Sequence, residues 1–130
     1  MPTEAARGRC DGSAPPELAA AVELFNRGAW LACHETFEAL WLAEPGRLRD
    51  LHQGILQIAV ALLHEERGNR GGAVKLLDSG LPLLGPFAPS CLGLDIAGLL
   101  RACVPVREHL NTRPECLPDH LQPKLRYHPT

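Results

Sequence analysis

Apolar positions in this chain recur with helical rather than strand spacing, in segments separated by glycine and proline. Pro15 and Pro16 suit the first turn of a helix running through about Arg27, closed by Gly28. A second helix, AWLACHETFEALWLAE, spans Ala29 to Glu44 and stops at Pro45-Gly46. The third, from about Leu48 to Arg67, carries LHQGILQIAVALLHEERGN and ends at Gly68-Asn69, residues suited to a left-handed cap. A fourth starts near Gly71, with Pro82 kinking or ending it. Asp95 is placed to cap a fifth helix through about Val104, and Pro105 opens a short turn toward Leu110. The third helix is apolar all round between Gln53 and Leu63, which predicts a central, buried position.

The second helix carries the most informative polar residues. At about 100° per residue, with His34 at zero, Glu38 lies near +40° and Trp41 near −20°. Trp30 and Phe37 fall on one side, and Leu31 and Leu42 on the other. His34 and Glu38 are therefore expected inside an apolar arc, and a buried pair of that kind requires hydrogen-bond partners. On the third helix Gln53, Gln57 and His64 fall within about 40° of one another. A hairpin folded about Pro45-Gly46 would set Gln57 opposite His34 and Gln53 opposite Glu38.

Three chemistries compete for these residues. HETFE begins like the zinc-protease motif HExxH, but Glu38 stands where the second histidine belongs. Di-iron bundles need carboxylates where the third helix offers amides. One metal held by His34, Glu38 and His64, with Glu35 as a fourth candidate, stays open behind a hydrogen-bonded structural network. Cysteine catalysis is weaker, because Cys33 and His34 point about 100° apart on a helix. The third class is a helical interaction module. Asn26-Arg27-Gly28-Ala29 recurs loosely as Asn69-Arg70-Gly71-Gly72-Ala73, but the offset does not match a tetratricopeptide period.

Composition narrows the field. The chain has 130 residues, enough for one domain with a core. Leucine and alanine outnumber β-branched residues, which favours helix. A formal charge of −2 with interspersed signs provides no basic stripe for nucleic acid. No stretch is long and apolar enough for a bilayer, and no signal-peptide core opens the sequence. The five cysteines, Cys10, Cys33, Cys91, Cys103 and Cys116, form no CxxC pair; the expectation is five free thiols in a cytoplasmic protein. His109, His120 and His128 are expected to be exposed. Residues 1–14 are expected to be disordered, 15–111 to form the bundle, and 112–130 to be an extended, proline-rich tail.

Two segments resemble a known family. FNRGAWLACHETFEALW, Phe25 to Trp41, is similar to the pattern F-x-x-G-x-Y/W-x-x-x-H-E-x-x-E-x-x-W of domain-of-unknown-function family 309. HQGILQIAVALLHEERGNRGGAVKLL, His52 to Leu77, is similar to that family's Q-G-x-I-Q-x-A-x-x-x-x-H followed by G-N-x-x-G-A. The resemblance implies an all-helical single domain and signature positions His34, Glu35, Glu38, Trp41, Gln53, Gln57, His64 and Asn69. It implies no reaction.

The expectation is an all-α, compact bundle of about five helices with a buried His-Glu-Gln cluster. The leading function is a non-catalytic binding or interaction module without a cofactor, taking an unknown small molecule or protein, with homo-oligomers allowed. The alternative is a metal-binding protein or metal-dependent hydrolase using the same cluster.

Overall fold

The computed structural model describes residues 10–129, and among these the chain forms five α-helices. They are α1 (Leu18–Asn26), α2 (Trp30–Ala43), α3 (Leu48–Glu66), α4 (Arg70–Leu84) and α5 (Ile96–Thr112). Short turns join the first four, and each helix packs on the next in sequence. Gly28 (φ +72°) and Gly68 (φ +81°) take the left-handed conformation that ends α1 and α3. The Asn69 side chain caps α4 by accepting from the Gly72 amide at 3.0 Å, and Asp95 caps α5 through the Gly98 amide at 2.9 Å.

As expected, α3 lies at the centre. Leu48, Leu51, Ile55, Ile58, Ala59 and Leu62 form its main core stripe, and Gly54, Leu56 and Ala61 are buried on its flanks. At Gly54 it meets Gly80 of α4 so closely that a Cβ on either residue would lie 3.1 Å from the other's carbonyl oxygen. On its other side, α1 and α2 pack through Phe25 and Trp30, whose rings meet edge-on at 5.1 Å.

The structure departs from expectation at both ends of the chain and between α4 and α5. Helix α5 continues through Pro105 to Thr112, with Val104 and Pro105 on its solvent-facing side. Before it lies a hairpin of two-residue strands, β1 (Ser90–Cys91) and β2 (Leu94–Asp95). Leu92 and Gly93 turn the hairpin with positive φ.

The C-terminal segment is irregular but docked. Leu117, Pro123 and Leu125 are buried, Tyr127 bridges to Leu94, and the His128 amide donates to the Gly93 carbonyl at 2.8 Å. Arg70, at the start of α4, donates to the carbonyls of His109, Leu110, Arg113, Pro114 and Glu115, closing the end of α5. His109 is correspondingly buried rather than exposed, and its Nε2 donates to the Glu115 carbonyl at 2.9 Å. His120 and His128 are exposed, as expected.

At the other end, residues 1–9 of the segment expected to be disordered lie outside the described residues. Cys10 is tied down. It is disulfide-bonded to Cys91, and its carbonyl accepts from the Leu92 amide at 2.6 Å. The expectation of five free thiols is thereby corrected: the hairpin turn holds Cys91 against the start of the chain, and Cys33, Cys103 and Cys116 remain free. The cytoplasmic setting inferred from free thiols loses that support. No described helix is long and apolar enough to cross a membrane.

Candidate functional site

Helix α2 buries Trp30, Cys33, Phe37 and Leu40, a stripe centred well to one side of His34. The apolar residues on the opposite side of His34 are solvent-facing, with Leu31 50% and Leu42 65% exposed. His34 and Glu38 consequently stand at the margin of the core. Their side chains are 31% and 46% exposed, and His34 Nε2 lies 4.0 Å from Glu38 Oε2. Burial of this pair was expected and is not found. The helix is apolar nearly all round, so its leucines pulled the expected core face toward His34. Glu35 is exposed one step further around the helix.

Gln57 is turned to α4, where its Oε1 accepts from Ser79 Oγ at 2.6 Å. Gln53 is half-buried one turn earlier. Trp41 is half-buried beneath the Arg49 guanidinium, 5.1 Å from its centroid, and the Trp41 carbonyl accepts from Arg49 Nε at 3.3 Å. The pair braces the α2–α3 turn, where the Gly46 amide also donates to Glu44 Oε2 at 3.1 Å.

His64 and Asn69 serve the next turn. The Asn69 amide donates to the His64 carbonyl at 2.7 Å, and Asn69 Nδ2 lies 3.2 Å from His64 Nδ1. With Asn69 Oδ1 accepting from Gly72, its Nδ2 is the donor, and His64 Nδ1 accepts. A neutral His64 then carries its proton on Nε2.

Apart from Gln53, which is half-buried on α3, the candidate residues thus divide into three groups. His34, Glu35 and Glu38 share the outer part of α2, Gln57 binds α4, and Trp41, His64 and Asn69 shape turns. Among the described residues no three His, Cys, Asp or Glu side chains converge as a metal site. His34, Glu38 and His64 are therefore not gathered into the ligand set considered from sequence.

The one deeply buried histidine at the α2–α3 interface was overlooked in the sequence. His52 is 1% exposed, its ring lies 6.5 Å from that of Phe37, and its Nδ1 has no hydrogen-bond partner among the described residues. Burial lowers its pKa, against a smaller opposing effect of the Glu44 carboxylate. The signal was present: His52 falls about 60° from Ile55, inside the α3 core stripe. Cys33 and Cys103 are buried as apolar fillers, and burial pushes both thiols up to about 12.

Residues 18–76, from the start of α1 to the middle of α4, match the family described as Domain of unknown function (DUF309). An uncharacterized protein YpuF of Bacillus subtilis (strain 168) is 34% identical over 94 residues, covering 70% of this chain and 54% of the relative. The chain thus spans about half the length of the curated relative it matches. No solved structure shows a significant match. The matched stretch contains every candidate residue from His34 to Asn69, and over it the chain is similar to the DUF309 family.

Proposed function

We propose that this chain is a non-catalytic binding module whose outward α2 face receives a protein partner. The observation that carries this reading is the exposure of Leu31 and Leu42 on a helix whose core stripe lies elsewhere. The two leucines lie three turns apart, about 16 Å along the axis, with Glu35 and Glu38 between them. Large apolar side chains grouped on one face gain free energy when covered. The intervening carboxylates select a partner with basic side chains between apolar ones. Pairing this face with its counterpart in a second copy would bring glutamates together, which favours a different protein as partner.

Support also comes from what His34, Glu35 and Glu38 do not do. None bonds to another helix among the described residues, whereas Gln57, His64 and Asn69 do hold helices or turns. The metal reading is not favoured, because its three donors do not converge.

The test is site-specific photocrosslinking in the native host. A photoreactive residue at Leu42 should capture one discrete partner, and Glu35→Lys with Glu38→Lys should abolish capture. The same probe at Ala19, exposed on α1, is the control. Equal capture from both positions, or capture indifferent to charge reversal, would overturn the reading.

A further inference from the structure

A second surface lies outside the family-matched stretch, where the C-terminal segment folds back on α5. The two enclose a cleft of about 420 Å³, within the range of small-ligand sites. Arg101 projects from α5, and Lys124 and Arg126 from the C-terminal segment, with His120 also on the wall. One carboxylate, Asp95, shares the cleft, and it is already engaged in capping α5 through the Gly98 amide. A protein of formal charge −2 thus concentrates three cations against one anion here.

These cations are not equally committed. Lys124 Nζ donates to the Asn26 carbonyl at 2.7 Å and helps anchor the segment. Arg101 and Arg126 are exposed, and neither side chain has an ion pair or hydrogen bond among the described residues. Two uncommitted guanidiniums, one from α5 and one from the C-terminal segment, offer forked donors to a dianion. Gln122 also lines the cleft, and its Oε1 is buried without a hydrogen-bond partner among the described residues. A buried acceptor of this kind gains from a ligand O–H or N–H.

We propose that this cleft binds a small organic phosphate, its phosphate held by Arg101 and Arg126 and a hydroxyl donated to Gln122 Oε1. The site is independent of the α2 face, since none of its residues lies in the 18–76 stretch. Its assembly requires the docked C-terminal segment, which supplies four of the five side chains facing the ligand.

Calorimetric titration of the full chain with glucose 6-phosphate, inorganic phosphate and glucose tests the assignment. Glucose 6-phosphate should bind more tightly than inorganic phosphate, and glucose should not bind measurably. Arg101→Ala with Arg126→Ala should weaken glucose 6-phosphate binding by about tenfold or more, given the strength of charge-assisted hydrogen bonds. Gln122→Ala should bring the sugar phosphate down to the affinity of inorganic phosphate. Both arginines are exposed, and unchanged melting temperatures would show that the double variant is folded; Arg101→Lys with Arg126→Lys, which keeps the charge, should bind with intermediate affinity. Absence of binding by both phosphates at millimolar concentration would overturn the proposal, as would equal affinity in the double alanine variant. Preference for a single-stranded oligonucleotide over both phosphates would overturn it as well.

Discussion

Asn26 and Leu125 are joined through both polar atoms of the asparagine side chain. Asn26 Nδ2 donates to the Leu125 carbonyl at 2.9 Å, and Asn26 Oδ1 accepts from the Leu125 amide at 2.7 Å. A carboxamide thus mimics a strand neighbour for one residue of irregular chain, 99 positions away. Glu65 Oε2 does a similar service for the Leu117 amide at 2.9 Å. Buried backbone groups must find partners, and in a segment without ladder or helix side chains supply them.

Asn26→Ala should therefore unmoor the segment. It leaves the Leu125 amide and carbonyl unpaired at a part-buried site, at a cost of roughly 1–3 kcal/mol. A thermal melt should show a fall of several degrees, and removing residues 114–130 should lower it further by exposing the surface beneath Leu117 and Leu125. Unchanged melting in the truncated chain would show that the segment contributes nothing to stability.

Arg70→Ala should be comparably damaging, because five carbonyls at the end of α5 lose one shared donor. Arg70→Lys should recover only part of the loss, since an ammonium cannot reproduce the planar fork. Hydrogen exchange at the last turn of α5 reads the effect locally; equal protection in Arg70→Lys and the parent chain would contradict it.

These anchors explain what was legible in the sequence and what was not. Gly28, Gly68, Asn69 and Asp95 act within a few residues, so local chemistry announced the ends and caps of the helices. The C-terminal segment has no periodicity, because single leucines and distant polar side chains hold it. Nothing near Leu125 in sequence points to Asn26. The α2 face was misjudged for a different reason: Leu31 and Leu42 match the core residues in character, and only α1 and α3 decide which side is covered. Of the candidate cluster, the burial expected of His34 and Glu38 is not what the structure shows.

The thiols give a direct check on the ends of the chain. In native protein a thiol reagent should titrate one cysteine, Cys116, rapidly, because Cys33 and Cys103 are buried. In denaturant the count should rise to three, and after reduction to five. Cys10→Ser should lower stability by roughly 2–5 kcal/mol, as for other disulfides closing long loops. Five reactive thiols in unreduced, denatured protein would disprove the pairing.

His52 should make stability depend on pH. Burial holds its native pKa below the ordinary value of about 6.5. Its neutral form is therefore the native one, and the unfolded chain takes up the proton first as pH falls. Stability is fully present above about pH 6.5 and declines as the pH drops from there toward the lowered native pKa. His52→Leu removes this contribution and the orphaned Nδ1 together. Melts at pH 7.5 and pH 5 should differ less in His52→Leu than in the parent chain. An identical difference would assign the acid sensitivity to other groups.

His34 and Glu38 should behave in the opposite way, as residues the fold does not need. Their contact is 4.0 Å long and partly solvated, and such pairs contribute about 0–1 kcal/mol. His34→Ala and Glu38→Ala should each shift the melting temperature by no more than a few degrees, and the double variant should do little more than either alone. Gln57→Leu, which breaks the link to Ser79, serves as the internal comparison on α3. A loss above about 2 kcal/mol in either α2 variant would exceed what an exposed pair can give. It would return the pair to a structural role and remove two residues from the proposed binding face.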